Sequence, residues 1–320
     1  MVGNSLPEFV VNLATFLVSA VVLLPAADPP KSPFVFADGD RVVLLGGTLI
    51  EREQKYGYWE LALTLLNKDK NVTFRNLGWS GDTVWCESRG SFDGPKKGYE
   101  NTIALLKELK PTVIVICYGH VESFDGEAGV KKFTEGLEKL IDGVSGTKAR
   151  VVLMSPTPFE NVKPMTDADK KNANLKLYVA AMKEVAEKRK LEFVDLLSLQ
   201  FDNYSRRKPP GFMITENGLA VSAAGYDESS FVLAPPYSRR SDPTVPKVPT
   251  SADEAAEKAL LAAIVAKNEL FFHRWRPQNQ TYLFGFRKHE QGNNAKEVAE
   301  FDPLVEKAEK EIAELLKKAK

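Results

Sequence analysis

A doubly wound α/β domain, with a mostly parallel sheet held between two layers of helices in a three-layer α/β/α sandwich, is predicted by three observations. Five strand runs alternate with four helical segments between Arg41 and Leu197. Two of the strand runs, Val42–Leu45 and Val113–Cys117, are apolar at every position, which marks strands covered by helices on both faces. Each of the first three runs ends in a turn of small residues: Gly46-Gly47-Thr48, Gly78-Trp79-Ser80-Gly81-Asp82-Thr83 and Gly119-His120-Val121-Glu122. Such turns at the carboxyl ends of parallel strands are where α/β proteins place their chemistry.

Taken in order, residues 28–40 (DPPKSPFVFADGD) are rich in proline and read as a linker. The stretch from Arg41 to Trp59 supplies a buried strand, the first turn and the start of a helix. From Gly57 to Lys68, the residues Trp59, Leu61, Leu63, Leu65 and Leu66 predict a first helix that ends near the Asn67–Asn71 turn. Val72–Leu77 is the next strand. A helix over Tyr99–Lys110 is stopped by Pro111, which opens the strand Val113–Cys117. A helix over Val130–Asp142, a strand over Arg150–Met154, a long helix over Ala173–Lys190 and a strand over Leu191–Leu197 complete the alternation. Beyond it, Pro209–Tyr226 reads as a loop and short helix, and Pro235–Pro249 as irregular. Ser251–Leu270 reads as a helix, and the tail from Asp302 as an amphipathic helix carrying Leu304, Ala308, Ile312, Leu315 and Leu316. The expected organisation is therefore a leader over 1–27, the linker over 28–40, the α/β domain over 41–230, and an extension over 231–320 packed on that domain.

Composition narrows the function classes. Lys plus Arg equals Asp plus Glu at 43 each, so neither a nucleic-acid partner nor a polyanion mimic is expected. Two cysteines, Cys86 and Cys117, have neither the number nor the spacing of a zinc site or a disulfide scaffold and are expected as free buried thiols. No His, Asp or Glu cluster has metal-ligand spacing, and Gly46-Gly47 and Gly78 to Gly81 make neither a dinucleotide fingerprint nor a P-loop, so no metal or cofactor is expected. The apolar run Phe9–Leu24, followed by Pro25-Ala26-Ala27, has the form of a signal peptide, although Glu8 stands where a secretory leader carries positive charge. Export is the expectation. A retained anchor, the one membrane association the sequence offers, and a packed helix are the alternatives.

The turns, read together, are similar to those of the SGNH (GDSL) hydrolases over most of Arg41 to Tyr226. Gly46-Gly47-Thr48-Leu49 matches a Gly-Asp-Ser-Leu motif whose serine is the nucleophile. Asn76-Leu77-Gly78-Trp79-Ser80-Gly81 resembles the second motif, with the Gly78 amide as an oxyanion donor. Tyr118-Gly119-His120-Val121-Glu122 resembles the third, in which the Val121 position carries an oxyanion Asn. Asn217-Gly218-Leu219-Ala220 resembles a terminal Asp-x-x-His. The surrounding text, including YGYW, NLGWSGDT, ESFDGEAG and the block Lys267–Gly292, looks like a bacterial, mostly exported branch of that superfamily. The resemblance implies an SGNH-hydrolase or flavodoxin-like fold and hydrolysis of acyl or acetyl esters, plausibly on carbohydrate.

That chemistry needs a hydroxyl, an imidazole to take its proton, a carboxylate to orient the imidazole, and donors aimed at the oxyanion. Here Thr48 stands at the nucleophile, Ala220 at the imidazole, Asn217 at the carboxylate and Val121 at the oxyanion Asn. The expectation is a catalytically silent member acting by binding, with a small-molecule or carbohydrate ester as ligand. The alternatives are a working esterase on Thr48 with another base, such as His120 oriented by Glu122 or Asp82, and a structural module of an exported assembly. Trp79, Asp82, His120 and Glu122 are the binding candidates. His273 and His289 read as ordinary structural histidines. The block Phe271–Phe286, with Phe271, Phe272, Trp275, Tyr282, Phe284 and Phe286 beside Arg274, Arg276 and Arg287, is a sugar-binding face, a partner surface, or an outer cover packed over the sheet edge or a helix.

Overall fold

Alternating side chains along five parallel strands divide the interior into two apolar layers. The computed structural model describes Met1 and residues 33–198, 211–234 and 251–318. Its strands are β1 (Arg41–Gly46), β2 (Thr73–Gly78), β3 (Val113–Cys117), β4 (Arg150–Met154) and β5 (Glu192–Val194). They lie in the order β2-β1-β3-β4-β5, every pair parallel. Val43, Leu45, Leu77, Ile114, Ile116 and Leu153 face α3 (Pro95–Leu109), α4 (Val130–Val144) and α5 (Ala168–Arg189). Val42, Leu44, Phe74, Val113, Val115, Val152 and Met154 face α1 (Thr48–Tyr56), α2 (Tyr58–Leu66) and α6 (Ala223–Leu233). This is the predicted three-layer architecture. The strand order reverses between β1 and β3, so their carboxyl ends form the topological crevice.

The elements follow from local sequence. Phe133, Leu137, Leu140, Ile141 and Val144 recur on one side of α4 and are buried there. Pro95 occupies the first turn of α3, where its missing N–H costs no hydrogen bond. The helix expected over Gly57–Lys68 is preceded by a separate one, because Gly57 is left-handed and divides α1 from α2. The last strand is shorter than expected: β5 ends at Val194, and Leu196–Ser198 is already helical. Within the segment read from sequence as linker, Phe34 and Phe36 join the core, while Val35, Ala37, Asp38 and Gly39 stay exposed. Phe34 and Phe36 are buried under α2, held by Asn67, whose amide donates to the Phe34 carbonyl at 2.9 Å and whose Oδ1 accepts from Phe36 N at 2.8 Å. The leader 1–27 beyond Met1 and the segment Pro235–Pro249 lie outside the described residues. Among the described residues no helix is long and apolar enough to cross a membrane.

Helices α7 (Ser251–Trp275) and α8 (Phe301–Lys318) pack on the β2 edge of the sheet and on α2, with Leu260, Ile264 and Leu316 meeting Leu61. An edge strand presents unpaired backbone groups, and here part of that edge is capped. Lys267, 1% exposed, donates to the Phe74 carbonyl of β2 at 3.2 Å, pairs with Glu60 of α2 at 2.7 Å and donates to Asn268 at 2.8 Å. Asn268 in turn donates to the second Glu60 oxygen at 3.0 Å, so both buried carboxylate oxygens are satisfied. Lys267→Met leaves Glu60 buried and uncompensated, and is expected to cost about 3–5 kcal/mol in chemical denaturation.

Next to this pair Glu53 is also fully buried, accepting from Trp59 N at 3.0 Å and Glu60 N at 3.2 Å. Burial, followed by the neighbouring Glu60 charge, pushes its carboxyl from 4.5 up to about 7. A raised acid binds its proton more tightly in the native state, so its stabilisation is full below pH 4.5 and is lost as pH rises through about 7. The span is worth on the order of 3 kcal/mol. Glu53→Gln is therefore expected to flatten the fall in stability between these pH values, read from denaturation midpoints across the range.

Candidate functional site

The candidate site lies at the carboxyl ends of β1 and β3 and begins with the way α1 is seated there. Gly46 and Gly78 are register partners at the ends of β1 and β2. A Cβ on Gly78 would fall 2.0 Å from the Glu51 amide nitrogen, so only glycine lets α1 start this close to the sheet. The helix begins at Thr48, the first residue after Gly47, which presents the Thr48 hydroxyl at the strand end.

Thr48 Oγ1 accepts a hydrogen bond from the Gly81 amide at 3.1 Å. Gly81 has φ +74, a conformation that favours glycine and turns its N–H back toward β1. The Gly78 amide, expected from sequence as the oxyanion donor, instead donates to Asn76 Oδ1 at 2.8 Å, while Asn76 Nδ2 holds the Ile50 carbonyl at 2.7 Å. The backbone donor at the nucleophile position is thus Gly81. The second glycine of the GWSG turn was the available signal in the sequence.

Thr48, Asp82, His120, Val121 and Glu122 line one cavity, joined by Leu219 from the last motif loop. Its volume is about 20 Å³, room for roughly one water. Gly78, Trp79, Asn217 and Ala220 do not line it. Asn217 Oδ1 accepts from the amides of Leu219 at 3.1 Å and Ala220 at 2.8 Å, so it closes its own loop. Ala220 accepts from Glu216 N at 2.8 Å, and Glu216 pairs with Arg52 at 2.8 Å on the outer side of α1.

Neither acid of the cavity faces His120. Asp82 is buried against Arg89, with 2.5 Å from Nε to Oδ2, and accepts from the Tyr118 hydroxyl at 2.8 Å. Arg89 also donates to the Leu77 carbonyl at 2.7 Å and the Gly46 carbonyl at 3.2 Å, tying β1, β2 and the residue after β3 into one network. No sequence motif singled out Arg89, since an arginine in a short helical turn looks like a surface residue until the fold buries it. Glu122 accepts from Val84 N and Gly119 N, both at 2.9 Å. Burial outweighs those two bonds and raises its carboxyl to about 7.

His120 packs its ring 4.6 Å from that of Phe159, and its Nε2 is buried without a partner. Burial, opposed in part by a bond to the Thr157 backbone, lowers it to about 4. The imidazole is neutral at physiological pH. Trp79, a binding candidate from sequence, is covered: Arg276 stacks 3.6 Å from its ring and Trp275 meets it edge-on at 5.8 Å. Arg276 is itself fixed by Glu51 at 2.7 Å, and Glu51 also accepts from Ser80 N at 2.6 Å. The aromatic block from Phe271 therefore serves in part as the cover over the second motif.

Among the described residues no group of three or more His, Cys, Asp or Glu is placed to hold a metal. Cys86 and Cys117 are free and buried. Burial raises both thiols, Cys86 to about 11, so neither has thiolate character near neutrality. His120 is expected to show no titration above about pH 5 in an NMR series of its ring resonances.

The family model described as "GDSL-like Lipase/Acylhydrolase family" matches residues 29–227. No curated protein matches the chain. Among solved structures the chain is similar to BT4096, a gut microbial diltiazem-metabolizing enzyme, at 18% identity and TM-score 0.48, covering 62% of this chain and 48% of that one, about half its length. It is similar to LAE5, an α/β hydrolase from the metagenome of Lake Arreo, Spain, at 16% identity and TM-score 0.49, covering 62% and 97%. A catalytic mutant of Axe2, an acetylxylan esterase from Geobacillus stearothermophilus, matches at 17% identity and TM-score 0.47, covering 62% and 93%.

Proposed function

The chain belongs to the GDSL-like lipase/acylhydrolase family, and we propose that this member binds rather than cleaves, its ester-hydrolase site having lost the means to activate a nucleophile. The observation that carries this reading is the surroundings of Thr48. Its oxygen accepts from Gly81, and no carboxylate or imidazole of the described residues hydrogen-bonds to it. Asp82 is held by Arg89 and Tyr118, Glu122 by two amides, and the last loop brings Leu219 to the cavity where a base is needed.

Three further features support the same reading. Val121 offers an apolar wall where an oxyanion needs a donor, and loss of one such donor costs on the order of 10²-fold to 10³-fold in turnover. The methyl on Thr48 Cβ restricts its rotamers. A cavity with room for about one water leaves no space for an acyl group. Placement of the chain outside the cytoplasm belongs to the same proposal and is supported by the run Phe9–Leu24 alone.

One observation favours a second reading, a working hydrolase on Thr48. His120 lines the same cavity with an unpartnered Nε2. A base whose conjugate acid lies near 4 is weak for withdrawing a hydroxyl proton at neutral pH, which ranks this reading second.

With p-nitrophenyl acetate as substrate, the protein is expected to turn over near the uncatalysed rate, and Thr48→Ser is expected not to rescue it because the base is still missing. The combination Thr48→Ser, Val121→Asn, Asn217→Asp and Ala220→His is expected to give measurable hydrolysis. Substantial turnover by the unaltered chain that disappears in both Thr48→Ala and His120→Ala would establish the second reading instead.

A further inference from the structure

A cleft of about 400 Å³ lies between α3 and the segment that follows α7, in the size range of small-molecule sites, and nothing in the preceding reading uses it. Trp79 and Trp275 form its inner wall, and Phe284 and Phe286 line it at 52% and 70% exposure. Asn101 of α3 and Gln280 line it with amide side chains that make no hydrogen bond to another described residue. The indole N–H of Trp275 is buried and also lacks an acceptor.

Charge decides what such a cleft can hold. Each guanidinium around it is already neutralised: Arg89 by Asp82 at 2.5 Å, Arg274 by Glu108 at 3.0 Å and Asp302 at 2.8 Å, and Arg276 by Glu51 at 2.7 Å. Lys97 sits 3.7 Å from Glu100. An anionic ligand would have to break one of these pairs. A purely apolar ligand would bury the amides of Asn101 and Gln280 without partners, at a cost of about 1–3 kcal/mol for each such group. Aromatic rings beside neutral amides suit a ligand with an apolar C–H face and a rim of hydroxyls. We propose that this cleft, framed by Trp275, Phe284, Phe286, Asn101 and Gln280, is a binding site for a neutral oligosaccharide.

The site is independent of the chemistry at Thr48. Activity there would leave the cleft as it is, and failure to bind sugar would leave the missing base as it is. The full chain is titrated in a calorimeter with xylohexaose and with cellohexaose, and with trigalacturonate as the acidic comparator, each at millimolar concentration. Binding of at least one neutral oligosaccharide, weakened about 2- to 12-fold by Phe284→Ala and unchanged by Phe124→Ala, another exposed aromatic, is the expected result. Gln280→Ala, at the partly exposed start of a single helical turn, should weaken the same ligand and gives an independent readout if Phe284→Ala does not fold. The proposal is overturned if neither neutral oligosaccharide binds, if the galacturonate binds more tightly than both, or if neutral binding is unaffected by Gln280→Ala and by a folded Phe284→Ala.

Discussion

The buried Arg89–Asp82 pair is the interaction on which the arrangement at the strand ends depends. Three carboxyl-terminal turns have to be held in register at a place where the sheet ladder has run out. Arg89 does this by donating to the Gly46 carbonyl at the end of β1 and the Leu77 carbonyl near the end of β2, while its charge is met by Asp82, which also accepts from the Tyr118 hydroxyl. A planar guanidinium can serve several acceptors at once, which a lysine ammonium does less rigidly. The pair also occupies the Asp82 carboxylate, whose Oδ2 accepts from both Arg89 and Tyr118.

The carboxyl-terminal extension answers a different need. With β2 at the edge, the sheet would end in unpaired backbone beside exposed apolar surface. Lys267 and Asn268 carry polar groups into that edge, and Glu60 returns the compensating charge, so the contact is specific in orientation as well as apolar. Arg75 of β2 pairs with Glu309 of α8 along the same border. At the other end of α7, Trp275 and Arg276 close over Trp79, so the element that protects the edge also bears on the second motif turn. The extension is thereby coupled to the candidate site through the turn that carries Gly81.

Close glycine contacts build the site itself. Gly46, Gly78 and Gly81 bring a helix, a strand end and an amide to within hydrogen-bond reach of residue 48. No carboxylate or imidazole of the described residues hydrogen-bonds to the Thr48 oxygen, and the cavity beside it holds about 20 Å³. Packing explains the first feature, because a side chain at Gly78 would displace α1. It places no such demand on Val121 or Ala220.

The sequence by itself determined the fold class, the strands β1 to β4 and the order of the motif turns. These depend on local apolar runs and on turn glycines, whose physical consequences act within a few residues. It also determined which reactive residue types are missing, since identity at a motif position needs no coordinates. Only the tertiary structure decided what the polar residues near the site do. Asp82 and Glu122 read as possible orienting acids until their partners Arg89, Tyr118, Val84 and Gly119 are seen, and these come from separate elements. That the Gly81 amide reaches Thr48 Oγ1 while the Gly78 amide turns to Asn76 Oδ1 depends on one backbone dihedral and one side chain. Phe34 and Phe36 were misread because a proline-rich segment looks like a linker, whereas they find their pocket only once α2 and β2 are assembled. In each case the deciding interaction links positions far apart in the chain, and folding is what brings them together.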